Sequence, residues 1–289
     1  MSSANTRATD TRATDRPAAR TQTARTQAAD IRTGNRAVLR YDLRRLLRVP
    51  STWVVLDLAL LLAVVSPLTA LYAPDIIAAL AGPDTAAALG AAMPEPTWIQ
   101  AHAQWVKNLH QIFGVLFVML GAYQIVTGIL GGPVVLIVTR SVSRTAVFAG
   151  KMLSTVLLVA AVAFGGSAVA GILTRILFDD GAVLALLGAA ALWLLAIIFL
   201  LSVVVLAAVA TGNMLASAGI GFVAYLVLAF GGMWEAGARY SPLGLNDAVG
   251  AVASGAEVPG LWWIGTTTAL AACALLWLAL RLYQRRPLG

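Results

Sequence analysis

Few side chains in this sequence have the types and spacing that catalysis or metal binding requires. The two histidines, His102 and His110, lie eight residues apart and have no carboxylate at a ligand-like spacing. A metal site or a proton relay needs more groups than these two. The single cysteine, Cys273, excludes a disulfide or a cysteine-based metal site within one chain. We therefore expect no catalytic residue, no metal ligand and no enzymatic activity in this chain.

Asp57 is the one acidic residue within a long apolar run. An ionisable residue inside the membrane suggests a function by default, because a charge in hydrocarbon is costly. Asp57 lies only four residues after Trp53, however, close to a strongly basic segment. We favour an ion pair with a neighbouring arginine, and the alternative is contact with a transported substrate.

A second group of polar residues occurs within the next apolar run. Tyr123, Gln124 and Thr127 share one helical face, and Gly128 and Gly132 follow at a spacing of four. Small residues let membrane helices approach closely, and polar residues can form hydrogen bonds across their interface. We favour a packing role for the three polar residues. The alternative is a face that lines a substrate pathway, and we retain them as pathway candidates.

The most distinctive cluster is basic and contains Arg140, Arg144 and Lys151, between two long apolar runs. Each such charge would cost several kcal/mol at the centre of the bilayer, so the cluster must lie at a membrane surface. A soluble partner bound there could act on two membrane helices at once. The alternative is an ordinary loop whose charges only fix the topology.

The composition identifies the elements that position these residues. The chain is 60% hydrophobic and 11% charged, against roughly 25% charged in soluble domains. Apolar runs of about 20 residues cross a bilayer, and they must be helical to satisfy their backbone groups. We predict an all-α, polytopic membrane protein with six transmembrane helices, at Trp53–Leu71, Leu109–Leu130, Val147–Leu173, Val183–Ala210, Met214–Met233 and Leu261–Tyr283.

The segment before the first span has two parts. Residues 1–34 contain a degenerate, polar five-residue repeat, which predicts a disordered cytoplasmic tail. Residues 35–50 have leucines on one helical face and arginines on the others, and Pro50 ends the pattern. This pattern predicts an amphipathic elbow helix in the membrane interface. The alternative is a juxtamembrane helix that only orients the first span. The elbow arginines are Arg40, Arg44, Arg45 and Arg48.

The distribution of charge predicts the orientation. Most of the 20 lysines and arginines fall in the tail, the elbow, the loop around Arg140 and the C-terminus. By the positive-inside rule these parts are cytoplasmic, and both termini lie on that side. Eighteen arginines against two lysines, with abundant alanine, suggest a GC-rich bacterial genome and hence a bacterial plasma (inner) membrane. The net charge of +7 then reflects topology, with no nucleic-acid partner. On the outer side, the apolar stripe Trp98, Ala101, Trp105 and Leu109 predicts a short helix on the membrane surface.

The run from Thr139 to Arg144, with Gly150 and Lys151 after it, resembles the "R-P-V-S-R … G-K" signature of one transporter family. These are the membrane (permease) subunits of ATP-binding-cassette transporters of the type-2 export class. The similarity extends over residues 36–286 through the elbow and the six-span layout. The chain departs from the family at two positions: Ser141 replaces the usual proline, and Gly128 lies where many members have an acidic residue.

This resemblance implies that residues 51–286 form a permease domain that exports an unknown substrate across the plasma membrane. The expected partners are a cytoplasmic ATPase, a second permease copy in a homo- or heterodimer, and membrane lipid. ATP and Mg would bind to the ATPase, since this chain contains no phosphate-binding loop and is expected to hold no cofactor. The implied docking residues, in or next to a coupling segment at about residues 133–146, are Arg140, Ser141, Val142, Ser143, Arg144 and Lys151.

Two other functions remain open. A secondary transporter driven by an ion gradient usually has charges or broken helices near mid-membrane, and Asp57 is the only candidate charge. A non-transporting anchor or sensor subunit would have the same six spans and would bind a partner without moving a substrate.

Overall fold

The structure is a computed structural model that describes residues 40–42, 44–81, 95–129 and 143–286. Of these residues 88% are helical, and none of them lies in a β-strand. Six helices are long and apolar enough to cross a membrane, as predicted, and they are consistent with a multi-pass membrane protein. We number them spans 1 to 6: Pro50–Ile77, Trp98–Gly128, Arg144–Phe178, Val183–Thr211, Met214–Gly231 and Leu261–Arg285.

The break before span 1 occurs where the sequence predicts it. Residues 40–42 and 44–48 are helical, residue 49 is not, and the next helix, Pro50–Ala81, begins at the proline. Proline suits the first turn of a helix because its missing N–H would have no partner there. The location of residues 35–50 in the membrane interface stays a prediction, and the tail, residues 1–34, lies outside the described residues.

Span 2 begins earlier than predicted. Its first helix, Trp98–Asn108, continues through a π-helical turn, Leu109–Gly114, into the helix Val115–Ile129. The stripe that includes Ala101, Trp105 and Leu109 is buried against spans 1 and 3. The prediction of a separate surface helix is therefore wrong, because an apolar stripe shows only that a helix buries one face.

The other helices follow the predicted order. Span 3 consists of Arg144–Ala160, a π-helical turn at Ala161–Gly165, and Gly166–Phe178. Spans 4, 5 and 6 are single helices with the bounds given above. Between spans 5 and 6 lie three short pieces: the helix Glu235–Ala238, the 3-10 turn Pro242–Gly244 and the helix Leu245–Ala253.

Span 4 lies at the centre of the bundle. In its most apolar stretch 61% of the residues are buried, against 22% in spans 5 and 6. It contacts spans 2, 3, 5 and 6 as well as the helix Leu245–Ala253. Beside it runs a chain of fully buried aromatic rings whose neighbouring centroids are 6.2 to 6.4 Å apart: Trp105, Phe113, Phe117 and Trp193.

Two glycines let the spans approach each other closely. A Cβ atom on Gly166 would overlap the ring of Trp105, whose indole nitrogen donates a hydrogen bond to the Ser167 hydroxyl at 2.8 Å. A Cβ atom on Gly221 would overlap Val204 of span 4 and lie 2.9 Å from Cγ1 of Val118 in span 2. Spans 2 to 5 therefore pack directly on one another along these faces.

One end of the bundle collects basic residues. Spans 4 and 5 are joined there by Gly212, which has a φ of +68°, and Asn213, whose side chain caps span 5. Contacts described below bring Asp42, residues 45–52, the end of span 2, the start of span 3 and the end of span 6 to the same place. We call this the basic end.

Candidate functional site

The predicted docking residues lie at the start of span 3 where the structure describes them. Arg140, Ser141 and Val142 lie outside the described residues. Ser143 caps the helix of span 3, and its hydroxyl accepts a hydrogen bond from the amide of Ala146 at 3.2 Å. An N-cap of this kind satisfies one of the amides that the first helical turn leaves free, so the sequence itself fixes where span 3 begins.

Arg144 joins the start of span 3 to the end of span 6. Its Nη1 atom donates to the carbonyls of Arg286 at 2.8 Å, Gln284 at 3.3 Å and Tyr283 at 3.4 Å. The last carbonyls of a helix lack partners within the helix and carry the negative end of its dipole, so a guanidinium suits them. Arg144 was predicted to bind a partner. In the structure it is half-buried, and its guanidinium forms hydrogen bonds within its own chain.

The end of span 6 is linked in turn to span 4. The Nη2 atom of Arg286 donates to the carbonyl of Ala210 at 3.0 Å, and the guanidinium lies beside Gly212. A Cβ atom on Gly212 would be 3.2 Å from Nη1 of Arg286. Two arginines thus connect the starts or ends of spans 3, 4 and 6.

Lys151 forms a buried ion pair with Asp42. The Nζ to Oδ1 distance is 2.6 Å, and the side chains are 12% and 3% exposed, respectively. The second carboxylate oxygen of Asp42, Oδ2, is buried and has no hydrogen-bond partner among the described residues. The pair joins the helical residues before span 1 to the second turn of span 3. A lone charge at this depth would be strongly unfavourable.

Gly128 provides the space in which Lys151 lies. A Cβ atom on this glycine would be 3.1 Å from Cε of Lys151 and 3.3 Å from its Cδ. The carboxylate that meets Lys151 in this space comes from Asp42.

A cleft of about 90 Å³ surrounds the ion pair. The three pathway candidates line it together, as their shared helical face predicts. Thr155 donates to Oε1 of Gln124 at 3.4 Å, while the Thr127 hydroxyl donates to the carbonyl of Tyr123 in its own helix at 2.7 Å. Tyr123 is 52% exposed. The polar residues of the cleft are Asp42, Arg45, Ser51, Thr52, Tyr123, Gln124, Thr127, Lys151 and Ser154.

The remaining candidates are exposed. Arg40, Arg44, Arg45 and Arg48 all face outward, and of these only Arg45 lines the cleft. Asp57 is exposed on span 1. Among the described residues the only ion pair is that of Lys151 and Asp42, so the pairing that we favoured for Asp57 is not found with any described arginine.

The two histidines do not line the cleft. Within the described residues no three histidine, cysteine or acidic side chains lie close enough together to hold a metal ion. His102 and His110 lie at separate places in span 2. The Nδ1 atom of His102 is 2.8 Å from the carbonyl of Ala253, and the Tyr225 hydroxyl donates to the carbonyl of His110 at 3.1 Å.

Sequence reasoning missed Asp42 and the role of Arg286. Asp42 is the only acidic residue between Asn35 and Val49, a segment that is otherwise rich in arginine. This pattern could have identified Asp42 from the sequence, because a single acidic residue among basic ones suggests a specific partner. Its partner is 109 positions away, and no local pattern reveals such a distance.

No known protein-family model matches the chain, and a search of curated proteins finds no match.

Proposed function

We propose that this chain is the permease subunit of an ATP-driven export system in a bacterial plasma membrane, and that a separate ATPase docks on the segment between spans 2 and 3. In this proposal the basic end is cytoplasmic and two permease copies assemble around the substrate pathway. Support comes from the resemblance of residues 139–151 to the family signature and from the basic residues at this end.

The observation that carries the proposal is the set of contacts at the start of span 3. Lys151 joins it to Asp42 before span 1, and Arg144 joins it to the carbonyls at the end of span 6. A partner that pushes on the segment just before Ser143 would therefore act on three elements together. A loop that served only to fix the topology would not need a buried ion pair behind it.

The cleft is a suitable start for the substrate pathway. Its lining includes Gly128 and Lys151, which precede and follow the proposed docking segment in the sequence, and Tyr123, Gln124 and Thr127 line one wall. Movement of span 3 would shift Lys151 and with it the opposite wall of the cleft. Span 3 would thus couple the binding of the ATPase at the docking segment to a change in the shape of the pathway.

The first experiment is the purification of the tagged chain from its native host in a mild detergent. We expect an ATPase to co-purify in equal amounts and to show vanadate-sensitive hydrolysis. A chain that repeatedly arrives alone, intact and folded would contradict the proposal.

A charge-reversal pair then tests the docking role. Arg140→Glu is expected to release the ATPase while the permease stays folded, whereas Arg285→Glu, at an exposed arginine of the same end, is expected to retain it. Arg144 is unsuitable for this test, because its loss would also release the end of span 6. Full ATPase retention by a correctly inserted Arg140→Glu variant would exclude docking through this residue.

Asp57 favours one alternative, an ion-gradient-driven secondary transporter, because it is an exposed carboxylate in a membrane span. In that case Asp57→Asn would abolish uptake into vesicles that contain a proton or sodium gradient and no ATP. A non-transporting anchor or sensor subunit would co-purify with a partner and show no transport under either condition.

A further inference from the structure

A small cavity lies between spans 2, 4 and 5, away from the cleft. Its volume is about 10 Å³. Four of its lining residues have polar side chains: His110 of span 2, Trp193 of span 4, Tyr225 of span 5 and Asn246 of the helix Leu245–Ala253. The rest of its lining is apolar: Gly114, Ala196, Ile197, Leu200 and Leu228.

Two nitrogen atoms of the lining residues have no partner among the described residues. These are Nε2 of His110 and Nε1 of Trp193, and both atoms are buried. Trp193 is 0% exposed, so its indole N–H cannot reach solvent or a lipid headgroup. A buried donor without an acceptor costs roughly 1–3 kcal/mol. Both atoms belong to residues that line this one cavity.

The neighbouring contacts hold this arrangement in place. The Tyr225 hydroxyl donates to the carbonyl of His110, within the π-helical turn of span 2. Gly114 makes room for the tyrosine ring, since a Cβ atom there would be 2.9 Å from Cε2 of Tyr225. π-helical turns of this kind are frequent at functional sites. The cavity is therefore built by specific residues of three spans.

We propose that this cavity binds a single water molecule that accepts a hydrogen bond from Nε1 of Trp193 and donates one to Nε2 of His110. A buried water needs a volume of roughly 10–15 Å³ and two to four polar partners, and the cavity offers both. The water bridges spans 2 and 4 at the π-helical turn. The site is too small for a substrate, and the inference does not depend on the proposed transport function.

The test is nuclear magnetic resonance of the full-length protein in detergent micelles, with tryptophan labelled with nitrogen-15 and the Trp193 indole signal assigned through Trp193→Phe. A bound water gives the Trp193 indole proton cross-peaks to water of opposite sign in the nuclear and the rotating-frame Overhauser spectra. Chemical exchange with solvent gives the same sign in both. We expect the opposite signs.

Trp105 is an internal control in the same spectra. It is equally buried, but its indole donates to Ser167, so we expect no cross-peak to water. The absence of a direct water contact at Trp193, or signals from exchange alone, would overturn the proposal without any further variant. His110→Leu should then remove the contact, and a contact that survives in a folded His110→Leu variant would overturn the bridge to His110.

Discussion

The two halves of the bundle are held together by different kinds of polar contact. At the basic end the shortest polar contacts between distant residues involve charges: the pair of Lys151 and Asp42, and the arginines Arg144 and Arg286 on helix-end carbonyls. In the other half they are neutral hydrogen bonds. Trp105 donates to Ser167 at 2.8 Å, Asn108 donates to Ser66 at 2.9 Å, and His102 contacts the carbonyl of Ala253.

The two halves therefore depend on different interactions for their stability. Neutral hydrogen bonds between membrane helices contribute about 0.6 kcal/mol on average, so the half with Trp105 depends mainly on close packing around its aromatic rings. At the basic end, charges join the start of span 3 to Asp42 and to the end of span 6, and removal of Lys151 leaves the Asp42 carboxylate unpaired. Changes of charge should therefore destabilise the protein most at the basic end, and changes of side-chain volume should destabilise it most in the half that contains Trp105.

The largest effect is expected from Lys151→Met. This change removes one partner of a buried ion pair and leaves the Asp42 carboxylate, 3% exposed, without its cation. Loss of one partner of a buried pair costs about 3–5 kcal/mol. The free energy of unfolding in a mixed-micelle denaturant titration is the measurement.

The matched double variant Asp42→Asn with Lys151→Met removes both charges. We expect it to be clearly more stable than Lys151→Met alone, since no unpaired charge remains. Equal loss of stability in the two variants would mean that lost packing, and not the lost charge, decides the effect at this site.

Gly166→Ala should produce the next largest effect, this time through volume. The added methyl group overlaps the buried ring of Trp105, and overpacking of a well-filled core costs about 1–3 kcal/mol. Gly165→Ala is the control, because a Cβ atom at this neighbouring glycine meets nothing within 4 Å. Thermal unfolding in detergent compares the two. A similar melting temperature for both variants would contradict close packing at Gly166.

The parts of the fold that could be predicted from the sequence are those that depend on local signals. Long apolar runs identify six spans, and Pro50 identifies the break before the first, because both are local signals. The first part of span 2 could not be predicted in this way. Its apolar stripe also suits a helix on the membrane surface, and the contact between the buried His102 and the carbonyl of Ala253, 151 residues away, leaves no local pattern in the sequence.

The candidate site was only partly predictable for a similar reason. The shared face of Tyr123, Gln124 and Thr127 follows from helical periodicity, and these residues do line one cleft. The contacts of Arg144 and Lys151 are with residues more than 100 positions away. A basic loop in a sequence indicates a membrane surface. It does not distinguish an arginine that binds a partner from one that binds a helix end of its own chain.

A smaller loss is expected from Arg144→Gln. The change removes a half-buried guanidinium from three carbonyls at the end of span 6, and charged hydrogen bonds that are partly exposed to solvent contribute about 1 kcal/mol. Hydrogen–deuterium exchange of residues 279–286 should increase in this variant. Arg285→Gln, at an exposed neighbour on span 6, should leave the exchange unchanged. Equal hydrogen–deuterium exchange in the two variants would mean that the contacts of Arg144 do not stabilise this helix end.

The smallest effect on stability is expected from Asp57→Asn. The same substitution at Asp42 should destabilise the protein strongly, so the two variants compare an exposed aspartate with a buried, paired one. Asp57 is exposed and has no ion pair among the described residues. It lies seven residues into span 1, about 10 Å from Pro50 at 1.5 Å per residue, and therefore near one end of this span. Exposed substitutions usually change stability by less than about 0.5 kcal/mol. If Asp57→Asn destabilised the protein as much as Asp42→Asn in the same titration, Asp57 would need a charged partner, and a second copy of the chain would be the first place to look for it.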